Sequence, residues 1–131
     1  MQREHYFYDA FQNMNRFGPG STESTLRAAC FYPKRNVSIR ILDIGCGIGT
    51  HTFLLAKQFP KAQVVGIDYH APYIDKLNQN AAKRGITDRV HGVVMSMFDM
   101  AFEKESFDLI WAEGSIYIIG FQRGLRQWKP Y

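Results

Sequence analysis

The stretch ILDIGCGIGT, from Ile41 to Thr50, decides the fold of this chain. It begins with apolar, mostly β-branched residues, which predict a buried strand. Glycines follow at positions 45, 47 and 49. Their missing Cβ atoms let the backbone turn tightly and approach a ligand closely. Since the periodicity from Thr50 to Phe59 predicts a helix, the stretch indicates a nucleotide-type binding site at a strand–helix turn.

The glycine spacing distinguishes two families that use this layout. The dinucleotide fingerprint G-x-G-x-x-G places its third glycine at Thr50, which does not fit. Asp43 lies two residues before Gly45, where a carboxylate would repel a pyrophosphate but would suit a ligand that carries an amino group. The resulting pattern, D-x-G-x-G-x-G, resembles motif I of the class I S-adenosylmethionine-dependent methyltransferases. A tight turn without a ligand is the alternative, although three glycines and an acid exceed what a turn requires.

The composition predicts one packed domain that spans residues 1–131. Hydrophobic residues make up 46% and charged residues 21%, so extensive disorder is not expected. The formal net charge is +4, and only the tail with Arg123, Arg126 and Lys129 is purely basic. A solvated helix face explains that tail better than a nucleic-acid interface does.

The two cysteines, Cys30 and Cys46, form no CxxC motif and fall in different predicted elements. Together with the lack of a recognisable signal peptide, they predict free thiols and a cytoplasmic protein. No apolar run approaches the length that spans a membrane, and we expect no metal site.

Residues 1–36 are predicted to form a helical extension in front of the first strand. Its first helix runs from about Arg3 to Arg16 and is rich in aromatic residues. These rings either pack on the core or form a lid that encloses a substrate. Ser21 is expected to cap a second helix, which Pro33 ends.

The second predicted strand, Gln63 to Asp68, ends in an acid about twenty residues past the glycines. A carboxylate at this position can accept hydrogen bonds from ribose hydroxyls, in dinucleotide-binding proteins and methyltransferases alike. The alternative is that Asp68 caps the next helix, which Pro72 and Gly85 frame.

The third predicted strand runs from Val90 to about Met95. In the methyltransferase family an acid often follows this strand and holds the adenine amino group, but here Ser96 stands at that position. Met97 and Phe98 could sandwich the purine, and ordinary packing is an equally good interpretation.

The fourth predicted strand is Phe107 to Ala112, and Glu113 follows it at the carboxyl end, where ligands bind in open α/β sheets. Glu113 is the best-placed candidate for a catalytic base, and a helix N-terminal acid is its alternative role. A final helix is predicted from about Ser115 to Trp128. Its apolar stripe comprises Ile118, Phe121, Leu125 and Trp128.

The resemblance to class I methyltransferases covers roughly Arg40 to Trp128. It implies an α/β fold with a Rossmann-like parallel sheet of order 3-2-1-4 and helices on both faces, without the family's last three strands. It also implies S-adenosylmethionine as cofactor. By this resemblance the loop of Gly45, Cys46, Gly47 and Gly49 lies against the methionine part of the cofactor.

The resemblance assigns further roles by position. Asp43 would neighbour the cofactor's amino group, Asp68 would hold the ribose, and Tyr69 would lie against the adenine. The family's Asn- or Asp-Pro-Pro-Tyr motif, which marks methylation of base amines, is replaced by Glu-Gly-Ser-Ile. We therefore do not expect nucleic acid as a partner.

Three classes of function follow from these patterns. The favoured one is a methyltransferase for a small-molecule acceptor, present as a fragment of a longer enzyme or as an unusually short one. The second is a non-catalytic module that binds the cofactor or pairs with another chain, and the third is a nicotinamide-dependent oxidoreductase. Because strand four would form an open apolar edge, we also expect self-association through it.

Overall fold

Four parallel strands form one sheet in the part of the chain that this computed structural model describes, which is Met14 and residues 20–131. The order is β3-β2-β1-β4, so the predicted sheet topology is confirmed. In the register, Leu42 of the first strand lies between Val65 and Ile110. The strands are β1 (Arg40–Ile44), β2 (Gln63–Asp68), β3 (Val90–Val94) and β4 (Leu109–Trp111).

Helices cover both faces of the sheet, as predicted. The helices are α1 (Thr22–Ala29), α2 (Thr50–Gln58), α3 (Ala71–Lys83) and α4 (Phe121–Trp128), with a 3-10 turn at Ile116–Ile118. Residues of β1 point alternately to the two faces. Ile41 packs in the core formed with α1, α2 and α3, while Leu42 and Ile44 pack in a second core that includes Trp128 of α4.

Two side chains provide hydrogen bonds to backbone groups at the end of α2 and in the edge strand β3. Arg89 donates to the carbonyl oxygens of Ala56, Phe59 and Ala62 at 3.3, 3.5 and 3.1 Å, and so caps the C-terminal end of α2. The amide of Asn78 accepts from the N–H of Gly92 at 2.8 Å and donates to its C=O at 3.1 Å. This pair satisfies backbone groups of the edge strand β3, which is bonded only to β2.

The predicted continuous helix from Ser115 to Trp128 is wrong. A 3-10 turn ends before Gly120, whose φ of 90° redirects the chain into α4. The helix then packs through Gly124, where an added Cβ would lie 2.9 Å from Cγ1 of Ile116. α4 faces the 3-10 turn through Gly124, and Trp128 is the one residue of the predicted apolar stripe that is buried. The other members, Ile118, Phe121 and Leu125, are more than half exposed.

The N-terminal prediction is tested only in part. The helix predicted after Ser21 is confirmed as α1, with the Ser21 hydroxyl accepting from the N–H of Ser24 at 3.1 Å. The helix predicted from Arg3 to Arg16 lies outside the described residues, except for Met14. Across Met14 and residues 20–131, no helix is both long and apolar enough to cross a membrane.

Strand four is shorter than predicted, since β4 includes only the middle of the segment Phe107 to Ala112. The residues in front of it have other backbone partners. The N–H of Phe107 donates to the C=O of Tyr131 at 2.9 Å, and the N–H of Glu105 donates to the C=O of Pro130 at 2.8 Å. The chain end therefore pairs with the segment that leads into β4.

Candidate functional site

The glycine loop between β1 and α2 folds back across the end of β2. Gly45, Gly47 and Gly49 have φ values of 72°, 56° and 97°, which L side chains rarely adopt. The N–H groups of Gly45 and Cys46 both donate to the C=O of Ile67, at 2.8 and 2.9 Å. The loop is therefore a defined turn at the carboxyl edge of the sheet, as the sequence predicted.

Two of the three glycines are also required by close packing within the protein. A Cβ added to Gly45 would lie 2.5 Å from Cβ of Ser115, and one added to Gly49 would lie 2.9 Å from Cγ of Leu77. The hydroxyl of Ser115 donates to the C=O of Ile44 at 2.6 Å, which ties the segment after β4 to the end of β1. Close packing therefore requires glycine at these two positions, whether or not a ligand also approaches them.

Asp43 is buried on the α2 side of β1, with 1% of its surface exposed. Its Oδ2 accepts from the Thr52 hydroxyl at 2.7 Å. Burial raises the pKa of the Asp43 carboxyl from its ordinary 3.8 to about 7; the Thr52 hydrogen bond opposes this rise, and the carboxylates of Glu113 and Asp68 add to it. The described contacts of Asp43 are therefore internal, and its role towards the cofactor's amino group stays a prediction.

Asp68 connects the glycine loop to the start of α3. Its Oδ2 accepts from the N–H of Gly47 at 3.1 Å, and its Oδ1 accepts from the N–H of His70, the cap residue of α3, at 3.0 Å. Burial raises the pKa of the Asp68 carboxyl, although the His70 and Gly47 donors oppose it. Asp68 is thus not the N-cap of α3, which is His70 and has no side-chain cap hydrogen bond. The Asp68 carboxylate still has acceptor capacity for hydroxyl donors.

The expected adenine-binding residues follow β2 and β3, which are neighbouring strands. Tyr69 and Phe98 are exposed, whereas Met97 is partly buried against the core that includes Trp128. Trp128 Nε1 donates to the C=O of Met97 at 3.1 Å, and Ser96 Oγ accepts from the N–H of Phe98 at 3.2 Å. Met97 thus has a packing role, and the Phe98 ring lies 5.4 Å from the guanidinium carbon of Arg123.

Cys46 lies inside the loop as a buried thiol. Burial, together with the nearby Asp43 and Asp68, raises the pKa of Cys46 well above its ordinary range. A thiol of this kind is a poor nucleophile, because only the thiolate reacts readily.

Glu113 is at the centre of a polar cluster that joins three segments. Thr25 Oγ1 of α1 donates to Oε1 and Oε2 of Glu113 at 2.8 and 2.9 Å, and Trp111 Nε1 donates to Oε2 at 3.2 Å. His51 Nε2, in the first turn of α2, lies 3.5 Å from Oε1. The sequence analysis did not identify His51 or Thr25. The position of His51 directly after the glycine loop was the one signal that pointed to it.

The charge around the loop suits a cationic ligand. Asp43 is the penultimate residue of β1, Asp68 ends β2 and Glu113 follows β4, and the carboxylates of Asp68 and Glu113 are close enough to Asp43 to affect it. S-adenosylmethionine carries a sulfonium and an ammonium group, so these residues fit it, whereas a pyrophosphate would be repelled. In the described part of the chain, no three His, Cys, Asp or Glu side chains are grouped to hold a metal ion.

Comparison with known protein families identifies the class to which this fold and site belong. The family model described as a methyltransferase domain matches residues 41–129. The chain therefore belongs to the methyltransferase domain family, and the resemblance to S-adenosylmethionine-dependent enzymes that motif I indicated is confirmed.

Individual relatives extend beyond this chain. The malonyl-[acyl-carrier protein] O-methyltransferase of Priestia megaterium is 33% identical over 104 residues, which are 79% of this chain and 34% of that protein. The YjhP structure from E. coli is similar with a TM-score of 0.76 at 22% identity. The matched region covers 94% of this chain and 49% of the YjhP chain.

A third similar structure is the geranyl diphosphate C-methyltransferase of Streptomyces coelicolor, in complex with Mg2+, geranyl diphosphate and S-adenosyl-L-homocysteine. Its TM-score is 0.63 at 24% identity, over 72% of this chain and 36% of that one. The chain thus spans half or less of the length of these three relatives.

Proposed function

We propose that this chain binds S-adenosylmethionine at its glycine loop and forms the cofactor-binding part of a small-molecule methyltransferase. The observation that carries the proposal is the bridge from Asp68 to the N–H of Gly47, which sets an acid and an open glycine turn side by side. When bound, this cofactor supplies an electrophilic methyl group on a positively charged sulfur.

The chain's own residues contribute position and charge. The loop presents backbone rather than side chains to the ligand, and Asp68 accepts from hydroxyl donors beside it. Glu113 places negative charge near the cation, and the cation in turn would favour the ionised form of Asp43, whose pKa burial raises to about 7. Tyr69 and Phe98 offer exposed rings against which an adenine can lie.

Calorimetry on the purified chain tests the cofactor. We expect S-adenosylmethionine and S-adenosylhomocysteine to bind and NAD not to bind. Gly47→Val should abolish binding, because its side chain would occupy the space of the ligand. Gly85→Val is the matched control, since Gly85 has a similar φ of 66° but nothing within 4 Å of an added Cβ. A preference for NAD, or equal binding by both variants, would contradict the proposal.

The acceptor is proposed to be a small molecule rather than a nucleic acid. Relatives that are named for malonyl-[acyl-carrier protein], sterols and geranyl diphosphate support this choice. The acceptor class can be identified by measuring how fast S-adenosylhomocysteine forms with a panel of alcohols, carboxylates, amines and prenyl diphosphates. Methylation of RNA or DNA in place of all of these would overturn the assignment.

Two further expectations belong to this proposal. The unpaired thiols of Cys30 and Cys46 support a reducing compartment, so we propose the cytoplasm. A non-catalytic module that binds the cofactor remains the second candidate function, because the chain spans only part of its relatives. Cofactor binding without methyl transfer to any member of the panel would favour it.

A further inference from the structure

Helix α1 contacts the carboxyl edge of the sheet through Thr25 and Glu113. The Thr25 hydroxyl lies 2.8 and 2.9 Å from the two oxygens of Glu113, so its one proton is shared between them. The C=O of Ser21, another acceptor within reach of this hydroxyl, is farther away at 3.2 Å. Thr25 is almost inaccessible to solvent, so water competes little for the contact. Because the acceptor is charged, this hydrogen bond is stronger than a neutral one.

The residues around Glu113 also contact both ends of the glycine loop. Ser115 donates to the C=O of Ile44 at 2.6 Å, and its Cβ occupies the space that a Cβ at Gly45 would need. His51, in the first turn of α2 directly after the loop, has its Nε2 3.5 Å from Oε1 of Glu113. Close packing of this kind transmits small displacements, because the neighbouring atoms have no free space to absorb them. The carboxylate that binds α1 is therefore linked to the loop from two sides.

We propose that Glu113 is a positioning residue that couples α1 to the glycine loop, so that cofactor binding tightens the packing of α1 over the carboxyl edge. The inference rests on the proposed cofactor function. A ligand that orders the loop also orders Ser115 and Glu113, and the entropy cost of holding α1 in place then becomes smaller. Since coupling between two sites is reciprocal, the contact between Thr25 and Glu113 in turn strengthens cofactor binding.

The contacts of Glu113 favour this positioning role over that of the catalytic base that its place in the sequence suggested. Both of its oxygens accept from Thr25, and Trp111 Nε1 adds a donor at 3.2 Å. A proton taken from a methyl acceptor would compete with these donors, which are already in place. Thr25 belongs to α1 and Trp111 to β4, so the carboxylate fixes the two elements to each other.

Hydrogen–deuterium exchange of the unmodified chain tests the coupling without any acceptor. Mass spectrometry of peptides from α1 reports how often the backbone of this helix opens. We expect saturating S-adenosylhomocysteine to slow exchange in α1 by at least about threefold, because the ordered loop holds Glu113 against Thr25. The segment 84–90 is the internal control, since it enters β3 at the opposite edge of the sheet, and its exchange should not change.

Two substitutions separate the contact from the charge of Glu113. Thr25→Val removes the hydroxyl but leaves the carboxylate, so it should abolish the ligand-dependent protection of α1 and weaken S-adenosylhomocysteine binding by about three- to tenfold. Glu113→Gln removes the charge but keeps an oxygen that can accept from Thr25, so it should retain part of the protection. Thr25→Ser keeps the hydroxyl and should behave like the wild type. Ser24→Ala is the matched control, because Ser24 is an exposed residue of the same helix whose hydroxyl bonds to Ser21.

The outcomes distinguish this inference from the proposed function. Failure of the wild type to bind S-adenosylhomocysteine in calorimetry would reject the function itself. Binding that leaves exchange in α1 unchanged would reject only the coupling, and so would wild-type affinity and protection in Thr25→Val. Faster exchange of α1 in that variant, by the same factor with and without the ligand, would show a purely local role and also reject it. Should circular dichroism show that Thr25→Val is unfolded, Ser115→Ala replaces it, because it removes the bond to Ile44 and should reduce the ligand-dependent protection of α1.

Discussion

Asp43→Asn isolates the cost of burying a carboxyl group beneath the glycine loop. The folded state raises the pKa of Asp43 from 3.8 to about 7, mainly by burial. Because the pKa of Asp43 is higher in the folded state, the folded state binds this proton more tightly than the unfolded state does. As far as this group is concerned, the chain is therefore most stable below about pH 4 and loses stability as the pH rises towards 7. A shift of about 3 units corresponds to about 4 kcal/mol over the full window, and to about 2–3 kcal/mol between pH 5 and pH 8.

The side-chain amide that Asp43→Asn introduces does not titrate, so the variant should lack this pH dependence. Urea titrations at about pH 5 and pH 8 give the free energy of unfolding of both proteins. The change between the two pH values is then compared for the wild type and the variant, which removes the contribution of other titrating groups. Thr52→Val is the informative companion, because it removes the hydrogen bond that favours the ionised carboxylate. It should raise the pKa of Asp43 further, so the loss of stability should be larger and should continue to higher pH. Parallel pH profiles for the wild type and Asp43→Asn would refute the reasoning.

Three other predictions concern the stability and association of the chain. Arg89→Ala should lower the free energy of unfolding by about 1–3 kcal/mol, because it leaves carbonyls at the end of α2 without their donor, and Arg89→Lys should recover only part in urea titrations. Gly45→Ala should lower the melting temperature, because the added Cβ would lie 2.5 Å from Cβ of Ser115 at a φ of 72°, and an unchanged melting temperature would contradict this. Leu125→Lys should reduce any self-association through the exposed apolar residues of α4, and light scattering that is identical for both proteins would contradict this.

Self-association through strand four stays a prediction, and the structure shows where a substitution can test it. Leu109, in the middle of the expected edge strand, is partly buried against the main core, so a charge there would disturb folding as well as pairing. The exposed apolar residues lie instead on the 3-10 turn and on α4. They are Tyr117, Ile118, Phe121 and Leu125. A charged substitution in this group tests association with little effect on the core.

Sequence patterns predicted the elements around the glycine loop well, because their signals are local. The apolar run of β1 and the β-branched residues of β2 identified both strands, and Pro72 and Gly85 framed α3. Patterning failed at the C-terminal end, where the apolar stripe predicted one continuous helix across Gly120 and Gly124. Gly120, at positive φ, separates the 3-10 turn from α4, and Gly124 packs α4 closely against Ile116. Neither effect changes the apolar periodicity of the sequence.

The sequence by itself therefore determined the family, the strand order that the family implies and the positions of the acids at the strand ends. Chain order and turn chemistry place those residues at one edge of the sheet, whatever the details of packing. Tertiary structure alone decided what each acid does there. Asp43 is buried against Thr52, Asp68 bridges two backbone N–H groups, and Glu113 is held by Thr25, which lies 88 positions away in the chain. Hydrogen bonds between segments so far apart depend on how α1, α2 and the end of β4 pack together, which no local pattern encodes.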